Sequence, residues 1–153
     1  MRFLYLQRLS FAGQGAKRTF GVDPNRGARF NSFKLEGLLK LIYRRLAGVT
    51  IEHLDWSEFI RRYDRPTTLF YLDPPYFGVE GYYGKDLFKW EDYQTMSALL
   101  AQLKEKFLLS LNDVAEVRKT FSQFKIKEVN TSYTCGSNNA IPAKELIITN
   151  CDI

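Results

Sequence analysis

The sequence predicts an α/β fold built on one open sheet, and three observations predict it. Two compact apolar runs, residues 68–72 (TLFYL) and 107–111 (FLLSL), have the length and composition of buried strands. Segments with apolar residues at helical spacing lie between and beside them, the alternation expected of α/β architecture. About 45% of the 153 residues are apolar, enough for one packed core and too many for a disordered chain.

Residues 2–11 predict a short helix with Phe3, Leu4, Leu6 and Leu9 as packing residues. Residues 12–32 change character: Gly13, Gly15, Gly21, Pro24 and Gly27 alternate with Lys17, Arg18, Arg26 and Arg29. This is a basic, turn-rich loop, longer than a compact domain carries without a functional reason. A helix is predicted over 34–47, because Leu35, Leu38, Leu39, Ile42 and Leu46 fall on one face, with Gly48 as its stop. Residues 49–51 read as a short strand. Asp55 or Ser57 is placed to cap a helix running to about Tyr63, which Arg65-Pro66 ends.

Residues 68–72 are then expected as a buried parallel strand, followed by an aromatic, glycine-rich loop with Tyr76, Phe77, Gly78, Gly81, Tyr82, Tyr83 and Gly84. A helix over 91–105 turns Tyr93, Met96, Leu100 and Leu103 to one side. Strand 107–111 follows. Asn112 or Asp113 caps a helix through Phe121, with Val114, Val117 and Phe121 facing inward. Residues 124–130 and 144–149 are two further strands with no helix between them, hence an antiparallel hairpin. The chain divides into a basic helix and loop segment, 1–33, and an α/β portion, 34–153.

Composition narrows the function classes. Twenty-two basic and 17 acidic residues leave a net charge of +5, which suits a polyanionic partner such as nucleic acid. Cys135 and Cys151 form no CxxC pair and have no neighbouring histidine, so no metal site is expected. No apolar run approaches the roughly 20 residues that span a bilayer. Gln7 and Arg8 interrupt the N-terminus where a signal peptide needs an apolar stretch, so the expected location is cytoplasmic.

The chemistry lies in Asp73-Pro74-Pro75-Tyr76, directly after strand 68–72. Open α/β sheets bind ligands at the carboxyl ends of their strands. An exocyclic aromatic amine is a poor nucleophile, because its lone pair is delocalised into the ring. Two acceptors on its hydrogens draw the nitrogen toward tetrahedral geometry. The Asp73 carboxylate supplies one and the Pro74 carbonyl the other, since proline carries an acceptor and no N–H. Consecutive prolines stiffen the backbone and preorganise that carbonyl. Tyr76 offers a flat face for stacking a base. The alternative is an ordinary strand-ending turn, for which Asp-Pro-Pro is also suited.

Asp73-Pro74-Pro75-Tyr76 resembles the signature tetrapeptide of DNA amino-methyltransferases, and its surroundings resemble the Dam-like adenine methylases. The matching stretches are Arg8 with Phe11 and Gly13, Leu54-Asp55-Trp56, Leu69 through Tyr76, Ser110-Leu111-Asn112-Asp113 and Glu145-Leu146-Ile147-Ile148. The resemblance covers nearly the whole chain. It implies a partial Rossmann-like methyltransferase sheet, made of the central and C-terminal strands with flanking helices. It implies methyl transfer from S-adenosylmethionine to the adenine amine in double-stranded DNA, with Asp73, Pro74, Pro75 and Tyr76 catalytic and no metal. It implies that Asp55, Trp56 and Asp73 touch the donor, with Asp55 also free to act as a helix cap. Ser110 and Asn112 either line the base pocket or, for Asn112, cap the next helix. Loop 76–84 closes over the flipped base or packs on the core. The basic loop resembles the segment that runs along DNA, which makes Arg8, Lys17, Arg18 and Arg26 candidate phosphate contacts; the alternative is a solvated basic loop.

One expected part is missing. The family's donor motif, Phe-x-Gly-x-Gly, follows a strand and opens a helix. Phe11-Ala12-Gly13-Gln14-Gly15 matches it by letter, but Gln7, Arg8 and Ser10 before it suit no buried strand, and residues 16–21 open no amphipathic helix. The first strands of the sheet are then absent, and an apolar sheet edge is expected to be exposed. The chain is read as a fragment, or as needing a missing N-terminal half or partner chain. Two other functions compete: a catalytically silent DNA-binding remnant, and an amino-methyltransferase acting on another planar amine.

Overall fold

The computed structural model describes residues 2–10, 27, 30–80, 88–133 and 141–152. Met1–His53 and Leu54–Ile153 form two compact units. The first holds α1 (Arg2–Leu9) and α2 (Ser32–Leu46). The second holds α3 (Trp56–Tyr63), β1 (Leu69–Leu72), α4 (Trp90–Ala101), β2 (Lys106–Asn112), α5 (Ala115–Thr120), β3 (Lys125–Tyr133) and β4 (Ile141–Thr149). No helix among the described residues is long and apolar enough to cross a membrane.

In the first unit, Asn31 caps α2, its side chain accepting from the amides of Phe33 and Lys34 at 3.0 and 3.3 Å. Gly48 ends the helix as predicted, at φ +83°, a conformation that favours glycine. The expected apolar face of α2 is only partly covered. Leu35 is buried, but Leu39, Ile42 and Leu46 are each more than 40% exposed. A helical stripe shows which face can pack, and burial still requires an apolar partner against it. The strand expected over 49–51 does not form: these residues pair with no strand and are exposed. Three β-favouring residues without a neighbour gain no ladder hydrogen bonds.

The second unit is a four-stranded mixed sheet in the order β1-β2-β4-β3. β1 runs parallel to β2, with Leu69 opposite Lys106 and Leu72 opposite Leu109. β4 is antiparallel to both β2 and β3, so 125–133 and 141–149 are the predicted hairpin, longer at each strand than expected. Alternation along these strands sends Phe70, Leu72, Phe107, Leu109, Leu111, Leu146 and Ile148 to one face. That face carries the core, joined by Ile60 of α3, Tyr93, Met96 and Leu100 of α4, Val117 of α5, and Phe121. Burial of such side chains is worth about 1.5–3 kcal/mol each.

The structure departs from the sequence expectation at β1, at the start of α5 and at the end of α4. The strand after Pro66 is not buried throughout: Phe70 faces the core, while Leu69 and Tyr71, on the opposite face of β1, are 59% and 65% exposed. An apolar run does not reveal that one face of the sheet is left uncovered. Neither Asn112 nor Asp113 caps α5; its N-cap is Val114, with no side-chain bond. Asp113 instead pairs with Arg118, whose Nη2 donates at 2.7 Å, and Asn112 is drawn elsewhere, as described below. Finally, α4 stops at Ala101 rather than 105, although Tyr93, Met96 and Leu100 are buried as predicted.

Candidate active site

The chain leaves the C-terminal end of β1 at Asp73 and turns across the ends of β1 and β2. Strand alternation decides what it meets. Ser110 and Asn112 point to the face opposite the core, and Glu145 of β4 stands beside Asn112 in register. The Asn112 side chain binds both backbone groups of Phe77. Its Oδ1 accepts from the Phe77 amide at 2.9 Å, and its Nδ2 donates to the Phe77 carbonyl at 3.0 Å.

The next carbonyls back along the loop are also engaged. Val79 N–H donates to the Tyr76 carbonyl at 3.1 Å, closing a turn that places Gly78 at φ +86°. A side chain at Gly78 would be strained by that φ alone. The Tyr93 hydroxyl donates to the Pro75 carbonyl at 2.8 Å and lies 3.1 Å from Glu80 Oε1. Glu80 Oε1 also accepts from the Gly78 amide at 3.0 Å. Burial, then the Glu80 carboxylate, push the Tyr93 hydroxyl well above its ordinary pKa, so it remains a donor. Among the described residues, the Pro74 carbonyl and the exposed Asp73 carboxylate receive no hydrogen bond. The turn therefore leaves two acceptors open and ties down the carbonyls that follow them.

Tyr76 is half-buried against the core, and its hydroxyl sits among Ser110, Glu145 and Tyr133. Burial raises its pKa, which the Ser110 hydroxyl partly offsets and Glu145 reinforces. Tyr133 hydrogen-bonds Glu145 and is raised as well, chiefly by burial. Phe77 packs edge-on against Trp90 and Tyr93, with ring centroids 5.2 and 5.9 Å away. The near part of the aromatic loop is thus tied to the core, while 81–84 lies outside the described residues.

Asp55 is the N-cap of α3. Its Oδ1 accepts from the Ser57 amide at 2.9 Å and the Ser57 hydroxyl at 2.6 Å. The hydroxyl first, then the amide, hold its carboxyl below its ordinary pKa. Trp56 opens the helix half-buried, its ring centroid 6.2 Å from that of Phe88. Asp55→Ala should cost about 1 kcal/mol of stability in urea denaturation, the usual worth of such a cap. Because the folded pKa is depressed, the contribution is present above the ordinary carboxylate value and is lost as pH falls through the depressed one. Wild-type and variant midpoints should therefore converge in acid; a gap that widens there would contradict this account.

Of the expected DNA contacts, Arg8 is exposed in the last turn of α1, and Lys17, Arg18 and Arg26 lie outside the described residues. Sequence reasoning missed the roles of Tyr93, Glu80, Tyr133 and Glu145. Helical spacing marks Tyr93 as a packing residue, yet a buried tyrosine hydroxyl needs a partner. Glu145, a charge opening an apolar run, carried a similar signal.

Residues 1–135 match the sequence pattern of the family described as D12 class N6 adenine-specific DNA methyltransferase. No individual curated protein matches the chain. The matched span holds Asp55, Trp56, the Asp73–Tyr76 turn, Tyr93 and Asn112, and stops before β4. With 135 of 153 residues matched, the chain belongs to the D12 class N6 adenine-specific DNA methyltransferase family.

Proposed function

We propose that this chain is the catalytic portion of an adenine-specific DNA methyltransferase. It would move the methyl group of S-adenosylmethionine to the exocyclic amine of an adenine flipped out of the duplex. The observation that carries this reading is the pair of open acceptors at the end of β1. The Asp73 carboxylate and Pro74 carbonyl each take one amine hydrogen, which localises the nitrogen lone pair. Tyr76 stacks on the base, and Pro75 stiffens the turn between them.

The donor, when bound, supplies an electrophilic methyl group. The chemistry of Asp55 and Trp56 fits one side of it. Asp55 is an exposed carboxylate held ionised at neutral pH, and Trp56 offers an aromatic surface. A glycine-rich turn for the methionine end is another matter. Phe11–Gly15 lies outside the described residues, but the segment before it is helix α1 rather than the strand such a turn follows. Among the described residues, no strand pairs with the outer edge of β1, the strand bearing the acceptors. The remaining donor contacts are assigned to a further segment or partner chain that pairs beside β1.

The test is the product. Unmethylated DNA is incubated with labelled donor, the chain and the upstream half of a related enzyme, then digested to nucleosides. Label in N6-methyladenine is expected; label confined to another base or to protein would overturn the assignment.

DNA binding should fall with salt, with a log–log slope of about −2 to −5 if a few phosphates are neutralised. Replacing Lys17, Arg18 and Arg26 together by alanine should flatten it. An unchanged slope, measured by fluorescence anisotropy over a salt series, would move the binding surface elsewhere.

A further inference from the structure

Asn112 uses both ends of its amide on a single residue of the catalytic turn. The assignment of its oxygen and nitrogen is unambiguous, because the Phe77 amide can only donate and the Phe77 carbonyl can only accept. Its backbone is the last of β2 and is held in register against Glu145. The clamp is therefore rigid at its base. It does not serve the following helix, whose cap is Val114. Holding Phe77 uses one of the two acceptor positions and one of the two N–H donors of the amide and fixes its plane.

Its effect on the turn follows from chain geometry. β1 fixes the chain up to Leu72 by pairing with Leu109. Asn112 fixes it again at Phe77. Two of the four intervening residues are prolines, whose φ is already locked. Tyr93 holds the Pro75 carbonyl from α4 at 2.8 Å. Little torsional freedom remains between the two anchors, so the direction of the Pro74 carbonyl and the plane of Tyr76 are set by where Phe77 is held.

We propose that Asn112 is a positioning residue for methyl transfer, holding Phe77 through both backbone groups so that the Pro74 carbonyl and Tyr76 stay aimed at the adenine. This rests on the functional reading above. Misplacement of a reacting group by about 1 Å can cost a hundredfold in rate, so the effect belongs in kcat rather than in donor or DNA affinity. Aspartate at 112 would keep the acceptor for the Phe77 amide and lose the donor to its carbonyl.

The experiment compares wild type, Asn112→Ala and Asn112→Asp in two measurements. Amide hydrogen exchange of the full chain, followed by NMR, needs no activity. Phe77 exchange should accelerate about tenfold or more in Asn112→Ala, with Leu109 and Leu146 still protected. Methyl transfer is then measured with the added upstream half. A kcat loss of about a hundredfold for Asn112→Ala is expected, with KM for donor and DNA within about threefold and partial recovery in Asn112→Asp. Faster Phe77 exchange with unchanged kcat would overturn the proposal, as would a raised KM at constant kcat or unaltered Phe77 exchange. If Asn112→Ala does not fold, Asn112→Asp decides: kcat equal to wild type overturns the proposal, and a selective kcat loss supports it. Absence of transfer by the unmutated chain with the added half counts against the functional reading, whereas equal transfer by wild type and variants counts against Asn112 alone.

Discussion

Asp73→Ala is expected to reduce adenine methylation by about a hundredfold or more, the scale on which loss of one preorganised polar contact slows other enzymes. The reason is local. The turn leaves two acceptors open among the described residues, the Asp73 carboxylate and the Pro74 carbonyl. The carbonyls of Pro75, Tyr76 and Phe77 already accept from Tyr93, Val79 and Asn112, and those bonds fix their directions. On the proposed mechanism, removing Asp73 would leave one amine hydrogen without its acceptor and the nitrogen lone pair delocalised. The Asp73 side chain is exposed and outside the core, so folding should be unaffected. Asp73→Asn retains a carbonyl and should fall between wild type and alanine. The measurement is kcat/KM for DNA in the presence of the added upstream half, beside the melting temperature of each variant. Activity of Asp73→Ala within about tenfold of wild type would remove Asp73 from the catalytic role.

The second large effect concerns the chain by itself. The 153-residue chain alone is expected to bind DNA and to leave it unmethylated, with methylation restored by an added upstream half. Transfer requires sulfur, methyl and amine nitrogen in line, and on the proposed assignment Asp55, Trp56 and Asp73 would hold the donor from one side only. Each 1.4 kcal/mol of missing contact weakens donor binding about tenfold. The sheet carries the same message: among the described residues β1 is its last strand, and no described strand pairs with its outer edge. A strand added along β1 would cover that edge and bring its own C-terminal end next to Asp73. Titration calorimetry of the chain with S-adenosylmethionine, with and without the added half, gives the binding side of the result. Labelled transfer to unmethylated genomic DNA gives the catalytic side. Adenine methylation by the chain alone would mean that Phe11–Gly15 holds the donor after all, or that the donor is held another way. Silence in both settings, with DNA binding intact, would favour a remnant that binds without turnover.

Much of this was legible in the sequence. Strong local signals placed α3 with a cap at Asp55 or Ser57, the strand ending just before Asp73, the buried face of α4 and the terminal hairpin. The Asp73–Tyr76 turn falls at a strand end as its letters predicted, because two prolines cannot continue a ladder. Failures came where a residue's fate depends on a distant neighbour. Asn112 lies next to a helix start and so looked like a cap, but Phe77, 35 positions earlier, offers its side chain two bonds instead of one. Residues 49–51 had strand composition and no strand to pair with. The stripe on α2 showed a packing face without showing what covers it.

By itself the sequence determined the α/β class, the order of elements from α3 onward and the residue types of the turn after β1. Those properties follow from periodicity, capping and the fixed backbone of proline, all of which act within a few residues. Only the tertiary structure decided that β1 lies at the sheet edge, that Glu145 and Tyr133 reach Tyr76, and that Asn112 and Tyr93 tie the carbonyls beyond Pro74. Each of these depends on strand order and register, which bring together residues far apart in the chain, and hydrogen-bond partners at 3 Å are chosen by that juxtaposition rather than by local propensity.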